Sequence, residues 1–269
     1  MKFKQILPRS ATAEQIESIQ GYVDSLCTPG ITVDVVDIKG PPSPPDYKTP
    51  AWIKPPLDLR GVAFVAPLMI ESAERAEREG YDAAIFSCGF DPGILSAKSA
   101  LKIPVIGMAE SMYRVASLLA DRWGLIVGYT GMSAIVRKVI QAYGVADYVI
   151  SIKTLHIDPF QIKDNRAEVE ERFIAAGKEL LSEDAGLVIN HCSPLFAGVG
   201  REALARIRER LGVVLDPYDT ALKTAEMLVK LGLSQSRMAF PSMKLGVDPT
   251  KGVYRIEKLE CYPGEEGGW

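Results

Sequence analysis

The sequence predicts an α/β protein of two pseudosymmetric lobes, each a parallel sheet flanked by helices, with a ligand-binding cleft between the lobes. Three observations predict this fold. Short β-rich runs alternate with helical patterns along most of the chain, one β-α-β unit recurs, and 269 residues are enough for two compact cores. We expect residues 1–112 and 217–269 to form the first lobe and residues 113–216 the second.

The secondary structure elements follow from local composition and hydrophobic period. Runs of apolar and β-branched residues predict strands at 2–7, 32–38, 83–88, 104–108, 124–129, 147–152, 186–191 and 212–216. Apolar residues at three- and four-residue spacing, as in "EVEERFIAAGKELLSED", predict helices between them, at 12–26, 67–79, 95–101, 110–121, 131–143, 165–182, 199–211 and 218–231.

Two segments depart from this alternation. The proline-rich stretch 39–58 cannot be a central strand or a helix, so it is a surface loop or a flap over the cleft. The tail, residues 240–269, reads as an irregular extension that packs on the surface or contacts another subunit.

Composition excludes several classes of protein. Charged residues make up 24% of the chain and the net charge is −3, which gives no support to nucleic-acid binding. No apolar run has the length of a membrane span, and no signal peptide is evident, so we expect a cytoplasmic protein without a membrane partner. Its cysteines and two histidines lack metal spacing and CxxC pairs, so we expect neither a metal site nor a disulfide framework.

Two of the four cysteines occupy equivalent places in the recurring unit. Cys88 ends the strand of "GYDAAIFSCGFDPG", and Cys192 ends the strand of "DAGLVINHCSPLFAGVG", 104 residues later. Each precedes a predicted helix. Because ligands bind at the carboxyl ends of parallel strands, two facing lobes would bring both thiols to one cleft. Two buried core thiols placed by chance are the alternative.

Two opposed thiols suit acid/base chemistry at carbon. One thiolate removes a proton next to a carbonyl, and the opposite thiol returns a proton to the other face. We expect the following helix to lower the pKa of each thiol. Backbone N–H groups of the two cysteine loops can stabilise the carbanion oxygen. Thr130 and Ser133, in "GYTGMS", either bind a substrate oxygen or cap the next helix.

The residues around both cysteines resemble the aspartate/glutamate/hydantoin racemase superfamily, most closely its hydantoin racemase branch. "SCGFDPGILSAKSALKIPVIGMAES" and "LGVVLDPYDTALKTAEMLVKLGLSQS" carry the resemblance, which extends from about residue 3 to about residue 236. It implies a racemase or epimerase that needs no cofactor, acts on a small molecule and forms homo-oligomers. By position, it implies an acid/base pair of Cys88 and Cys192, and substrate oxygens bound by Gly89, Ser193 and Thr130.

The sequence departs from that branch in two motifs. "HCSPLF" replaces a motif like "GCAGM", which puts His191 before the cysteine and brings Pro194 into the pocket wall. "LPRSA" replaces Asn-Pro-Asn-Thr, so Arg9 and Ser10 become candidate substrate contacts, and Arg9 suits a carboxylate. Phe90 also bears on pocket size. These changes leave a hydantoin, an amino acid or a related small acid open as substrate.

Several roles stay open at this stage. We interpret His191 as a satisfied structural histidine, and Asp91 as a residue that orients the first cysteine loop. Tyr218 and Asp219 follow a strand end and are candidates to line the cleft. The alternatives to a racemase are a cofactor-free decarboxylase, a maleate-type cis-trans isomerase and a non-catalytic small-molecule sensor.

Overall fold

Two four-stranded parallel sheets organise the computed structural model, which describes residues 1–38, 59–129, 131–157, 162–248 and 253–260. The strands of the first sheet are β1 Lys2–Ile6, β2 Thr32–Val36, β3 Ala83–Phe86 and β4 Val105–Gly107. They lie in the order β2-β1-β3-β4, with β1 paired in register to β2 on one side and β3 on the other. These central strands are buried on both faces, as a parallel sheet requires.

The second sheet repeats this order. Its strands are β5 Trp123–Val127, β6 Val149–Thr154, β7 Val188–Asn190 and β8 Val214–Leu215, arranged β6-β5-β7-β8. In both sheets the first strand in sequence lies between the second and the third. The predicted fold of two pseudosymmetric α/β lobes is therefore confirmed, and the third strand of each sheet leads into a cysteine.

Nine helices connect and cover the sheets within the described residues: α1 Ala13–Leu26, α2 Leu59–Arg78, α3 Ile94–Ala100, α4 Met108–Leu119, α5 Met132–Ala142, α6 Arg166–Ser182, α7 Ser193–Val199, α8 Arg201–Leu211 and α9 Pro217–Lys230. Two 3₁₀ turns occupy Ala146–Tyr148 and Lys163–Asn165. Helix α1 starts with a capping box, in which the Thr12 hydroxyl accepts from the Gln15 N–H and the Gln15 side chain accepts from the Thr12 N–H.

Three elements differ from the predictions. Helix α2 starts eight residues before the predicted 67, because the buried stripe that includes Val65 and Met69 outweighs the hydrogen bond lost at Pro67. Residues 193–198, for which neither a strand nor a helix was predicted, belong to α7, since proline is tolerated in a first helical turn. The tail is not wholly irregular, because β9 Ser242–Asp248 and β10 Val253–Glu260 form an antiparallel hairpin.

The proline-rich stretch 39–58, predicted as a loop or flap, lies outside the described residues. No helix in the described part of the chain combines the length and apolar character needed to cross a membrane.

A single hydrophobic cluster joins the two sheets. It includes Phe3 and Ile85 of the first sheet and Leu125 and Ile189 of the second. Helix α9 leaves the second sheet and packs against α4 and against β3 and β4 of the first. The predicted lobe boundaries, at 112/113 and 216/217, stay a prediction.

Candidate active site

A cavity of about 540 Å³ opens where the carboxyl ends of strands from both sheets meet. Segments that follow β1, β3, β5, β7 and β8 line it, as the parallel arrangement of the strands favours. Its volume lies within the range of roughly 300–1,000 Å³ that is typical of small-molecule pockets. Both Cys88 and Cys192 line this one cavity.

Cys88 lies two residues beyond β3 and is buried. The turn after it is closed by the Asp91 N–H, which donates to the Cys88 carbonyl at 3.1 Å. The pKa of the Cys88 thiol is raised to about 12, chiefly by burial and to a smaller extent by the charge of Asp91, although a hydrogen bond from the Phe90 N–H lowers it.

Cys192 lies two residues beyond β7, immediately before α7. Its backbone N–H donates to Asn190 Oδ1 at 3.1 Å, which fixes the loop. Burial raises the pKa of this thiol also to about 12, although hydrogen bonds from the Gly128 and Leu195 N–H groups lower it. A Cβ on Gly128 would lie 2.8 Å from the Cys192 sulfur, so this close approach requires glycine.

The expectation that the helices lower the pKa of the thiols below the usual value was wrong. Both cysteines receive backbone N–H groups, but loss of water around the sulfur outweighs them. In this site both side chains are neutral thiols near neutral pH. The thiolate of either one, once formed, is a strong base because its conjugate acid is weak.

Two tyrosines complete the wall near the sulfurs. Tyr129 lines the cavity together with both cysteines, and burial raises the pKa of its hydroxyl. Burial also raises the pKa of Tyr218 to about 12, although a hydrogen bond between its hydroxyl and the Ser87 side chain lowers it. Tyr218 lines the cavity as the sequence suggested, whereas Asp219 pairs with Arg208 at 3.7 Å and does not line it.

Tyr129 was missed by the sequence reasoning, which took Thr130 and Ser133 from the same loop. The sequence does place Tyr129 near the site, because this residue follows the carboxyl end of β5, one of the strands whose ends border the cavity. Thr130 itself lies outside the described residues, and Ser133 does not line the cavity.

The other predicted contacts divide into two groups. Five of them line the cavity together with the cysteines: Arg9, Gly89, Phe90, Ser193 and Pro194. Ser10 does not line it, and its hydroxyl instead donates to the Ile38 carbonyl at 3.3 Å. The backbone N–H groups of Gly89 and Ser193 form no hydrogen bond to any residue that the structure describes, so they are available to a ligand oxygen.

Asp91 ties the first cysteine loop to α4. Its carboxylate accepts from the Ala109 N–H at 3.2 Å, the Glu110 N–H at 2.8 Å and the Tyr143 hydroxyl at 2.6 Å. Burial raises the pKa of this carboxyl to about 6 despite these bonds. The Asp91 carboxylate thus fixes the cysteine loop by accepting hydrogen bonds from α4 and Tyr143 rather than from N–H groups of its own turn. Gly107 leaves room for it, since a Cβ there would lie 2.4 Å from the carboxylate.

The imidazole of His191 lies behind both cysteine loops. Its Nε2 and the Tyr113 hydroxyl form a hydrogen bond of 2.7 Å, and burial raises the pKa of that phenol. Burial lowers the pKa of His191 to about 4, so the ring is neutral. Its Nδ1 has no partner among the described residues, so it is only half satisfied. A Cβ on Gly89 would lie 3.0 Å from the ring.

Within the described residues, no group of three or more His, Cys, Asp or Glu side chains is arranged to hold a metal ion.

The chain is similar to known proteins in sequence and in fold. The model of the Asp/Glu/hydantoin racemase family matches residues 8–225. A hydantoin racemase from Paenarthrobacter aurescens is 27% identical over 240 residues, which is 88% of this chain and 94% of that protein. A hydantoin racemase from Pseudomonas sp. strain NS671 is 29% identical over 174 residues, 64% of this chain and 68% of that protein.

Among solved structures, the allantoin racemase from Klebsiella pneumoniae superimposes with a TM-score of 0.74. It is 22% identical and covers 94% of this chain and 98% of its own. At that identity the likeness shows the fold.

Proposed function

Because the chain belongs to the Asp/Glu/hydantoin racemase family, we propose that it is a cofactor-independent racemase or epimerase, with Cys88 and Cys192 as the acid/base pair. The observation that carries this proposal is that both thiols line one cavity of substrate size, each beyond the third strand of its sheet. Hydantoin racemases among the relatives make a 5-substituted hydantoin the first candidate substrate.

The reaction begins when one sulfur, as the thiolate, removes the proton from a carbon next to a carbonyl. A pKa of about 12 makes that thiolate scarce but strongly basic toward carbon. The electron pair of the broken C–H bond moves onto the carbonyl oxygen. The N–H groups of Gly89 and Ser193 donate to that oxygen, with the small residues allowing close approach.

The second sulfur then donates its proton to the opposite face of the same carbon. The configuration inverts, and the protons and electrons balance without any further reagent. The resting thiol form of each cysteine serves directly as this acid. We also propose that the enzyme is cytoplasmic and forms a homo-oligomer.

The test is to follow turnover in deuterated water by α-proton exchange and by loss of optical rotation. We expect Cys88→Ala and Cys192→Ala each to lower racemisation by at least about 10²-fold, since a positioned acid or base contributes roughly 10²–10⁴-fold. Each variant should still exchange the α-proton of one enantiomer, the one whose C–H bond faces the remaining sulfur.

Cys27→Ala is the matched control, because this free cysteine is half-buried and lies outside the cavity. It should racemise like the wild type. Full racemisation by both cavity variants would refute the two-base mechanism. Release of CO₂ or cis-trans isomerisation by the wild type would point to the other reactions of this fold, and binding without any exchange would point to a sensor.

A further inference from the structure

Arg9 places a cation in the wall of the cavity. Its guanidinium is half-buried, and burial lowers its pKa. One hydrogen bond holds it, from Nη1 to Gln15 Oε1 at 2.9 Å. None of the described residues forms an ion pair with it. A guanidinium has five N–H donors, so most of them are free for a ligand.

The support for Arg9 is rigid. Gln15 is the third residue of the capping box at the start of α1, and its Oε1 also accepts from the Thr12 N–H at 3.2 Å. Both Thr12 and Gln15 line the cavity. The neutral amide therefore orients the guanidinium toward the cavity without neutralising its charge.

The acidic side chains that line the same cavity do not form an ion pair with Arg9. Glu14 is at the exposed rim and pairs with Lys163 at 3.7 Å. Asp164 is also exposed at the rim. A half-buried cation costs desolvation free energy, which a bound anion would offset.

Arg9, Tyr218 and both cysteines line the same cavity of about 540 Å³. The positive charge of Arg9 lowers the pKa of Tyr218. A ligand whose reacting carbon contacts the thiols can therefore extend a substituent toward Arg9 within one cavity.

We propose that Arg9 binds a carboxylate on the substrate, so that the preferred substrate is a small C–H acid with an anionic substituent. This inference rests on the proposed function and narrows its substrate class. The planar guanidinium matches a carboxylate with two parallel hydrogen bonds, which gives specificity as well as affinity.

The experiment compares two hydantoins whose C5 substituents are isosteric, one ending in a carboxylate and the other in a carboxamide. The readout is the ratio of their kcat/KM values. We expect a ratio well above one in the wild type, a fall of about 100-fold in Arg9→Gln, and an intermediate ratio in Arg9→Lys, because an ammonium cannot donate in the same bidentate way.

Lys163→Gln is the matched control, since it removes one positive charge from the rim of the same cavity. Its ratio should stay within about threefold of the wild type, as expected for an exposed charge. An unchanged ratio in Arg9→Gln, or an equal fall in both variants, would overturn the inference.

A binding measurement separates this inference from the proposed function. By calorimetry, the wild type should bind glutarate monoamide, which has one carboxylate, more tightly than glutaric diamide, which has none, and Arg9→Gln should lose the difference. If neither hydantoin is racemised, the proposed function fails and the calorimetry decides on Arg9. Equal binding of the monoamide and the diamide by the wild type would overturn the Arg9 inference.

Discussion

Replacing Gly128 by alanine tests whether the position of the Cys192 sulfur limits the reaction. The added Cβ would lie 2.8 Å from this sulfur, whereas ordinary contact begins at 3.4 Å, so the sulfur must move by about 0.6 Å. The same shift disturbs the hydrogen bond from the Gly128 N–H. A misplacement of about 1 Å can cost roughly 100-fold in rate, so we expect kcat/KM to fall about 10- to 100-fold.

The assay is α-proton exchange and racemisation for both enantiomers, with unfolding followed in denaturant. Overpacking should cost about 1–3 kcal/mol of unfolding free energy, so the variant should remain folded at 25 °C. Gly21→Ala is the control, since a Cβ in this helical position meets nothing within 4 Å and should not slow turnover. A folded Gly128→Ala enzyme with wild-type kcat/KM for both enantiomers would refute the reasoning.

Two further predictions concern ionisation. The proposed mechanism needs one thiolate, and both thiols have a pKa of about 12, so kcat/KM should rise about tenfold per pH unit between pH 6 and 8. A plateau in this range would contradict the assignment of a buried thiolate as the base. Burial raises the pKa of Asp216 from 3.8 to about 6, so its charged form destabilises the fold at pH 8. Asp216→Asn keeps an acceptor for the Tyr218 N–H. The substitution should raise the unfolding free energy at pH 8 by about 1–3 kcal/mol, and this gain should shrink as the pH falls through 6 toward 4. An equal gain at pH 4 and pH 8 in denaturant titrations would contradict this explanation.

The arrangement of strands and cysteines could be predicted because it depends on local pattern. Each cysteine ends an apolar run, with glycine directly after Cys88 and proline two residues after Cys192, and these signals are present in a single sequence. Helix α7 was missed because Pro194 and Gly198 resemble breakers, although proline is tolerated in a first helical turn.

What could not be predicted depends on burial by distant residues. The sign of the thiol pKa shifts follows from the loss of water around each sulfur, which needs both lobes assembled. Gln15 as the support of Arg9 was missed for a different reason. The capping box of Thr12 and Gln15 can be read from the sequence, but its contact with Arg9 depends on the turn after β1.

The matched environments of the two sulfurs bear on how the enzyme treats mirror images. Burial raises the pKa of both thiols to about 12, so neither sulfur is distinguished as the resting base. In the proposed mechanism, the protein with a single negative sulfur exists in two forms, and each form accepts one enantiomer of the ligand. Each proposed inversion then leaves the protein in the form that accepts the product, so that racemisation in both directions uses both forms.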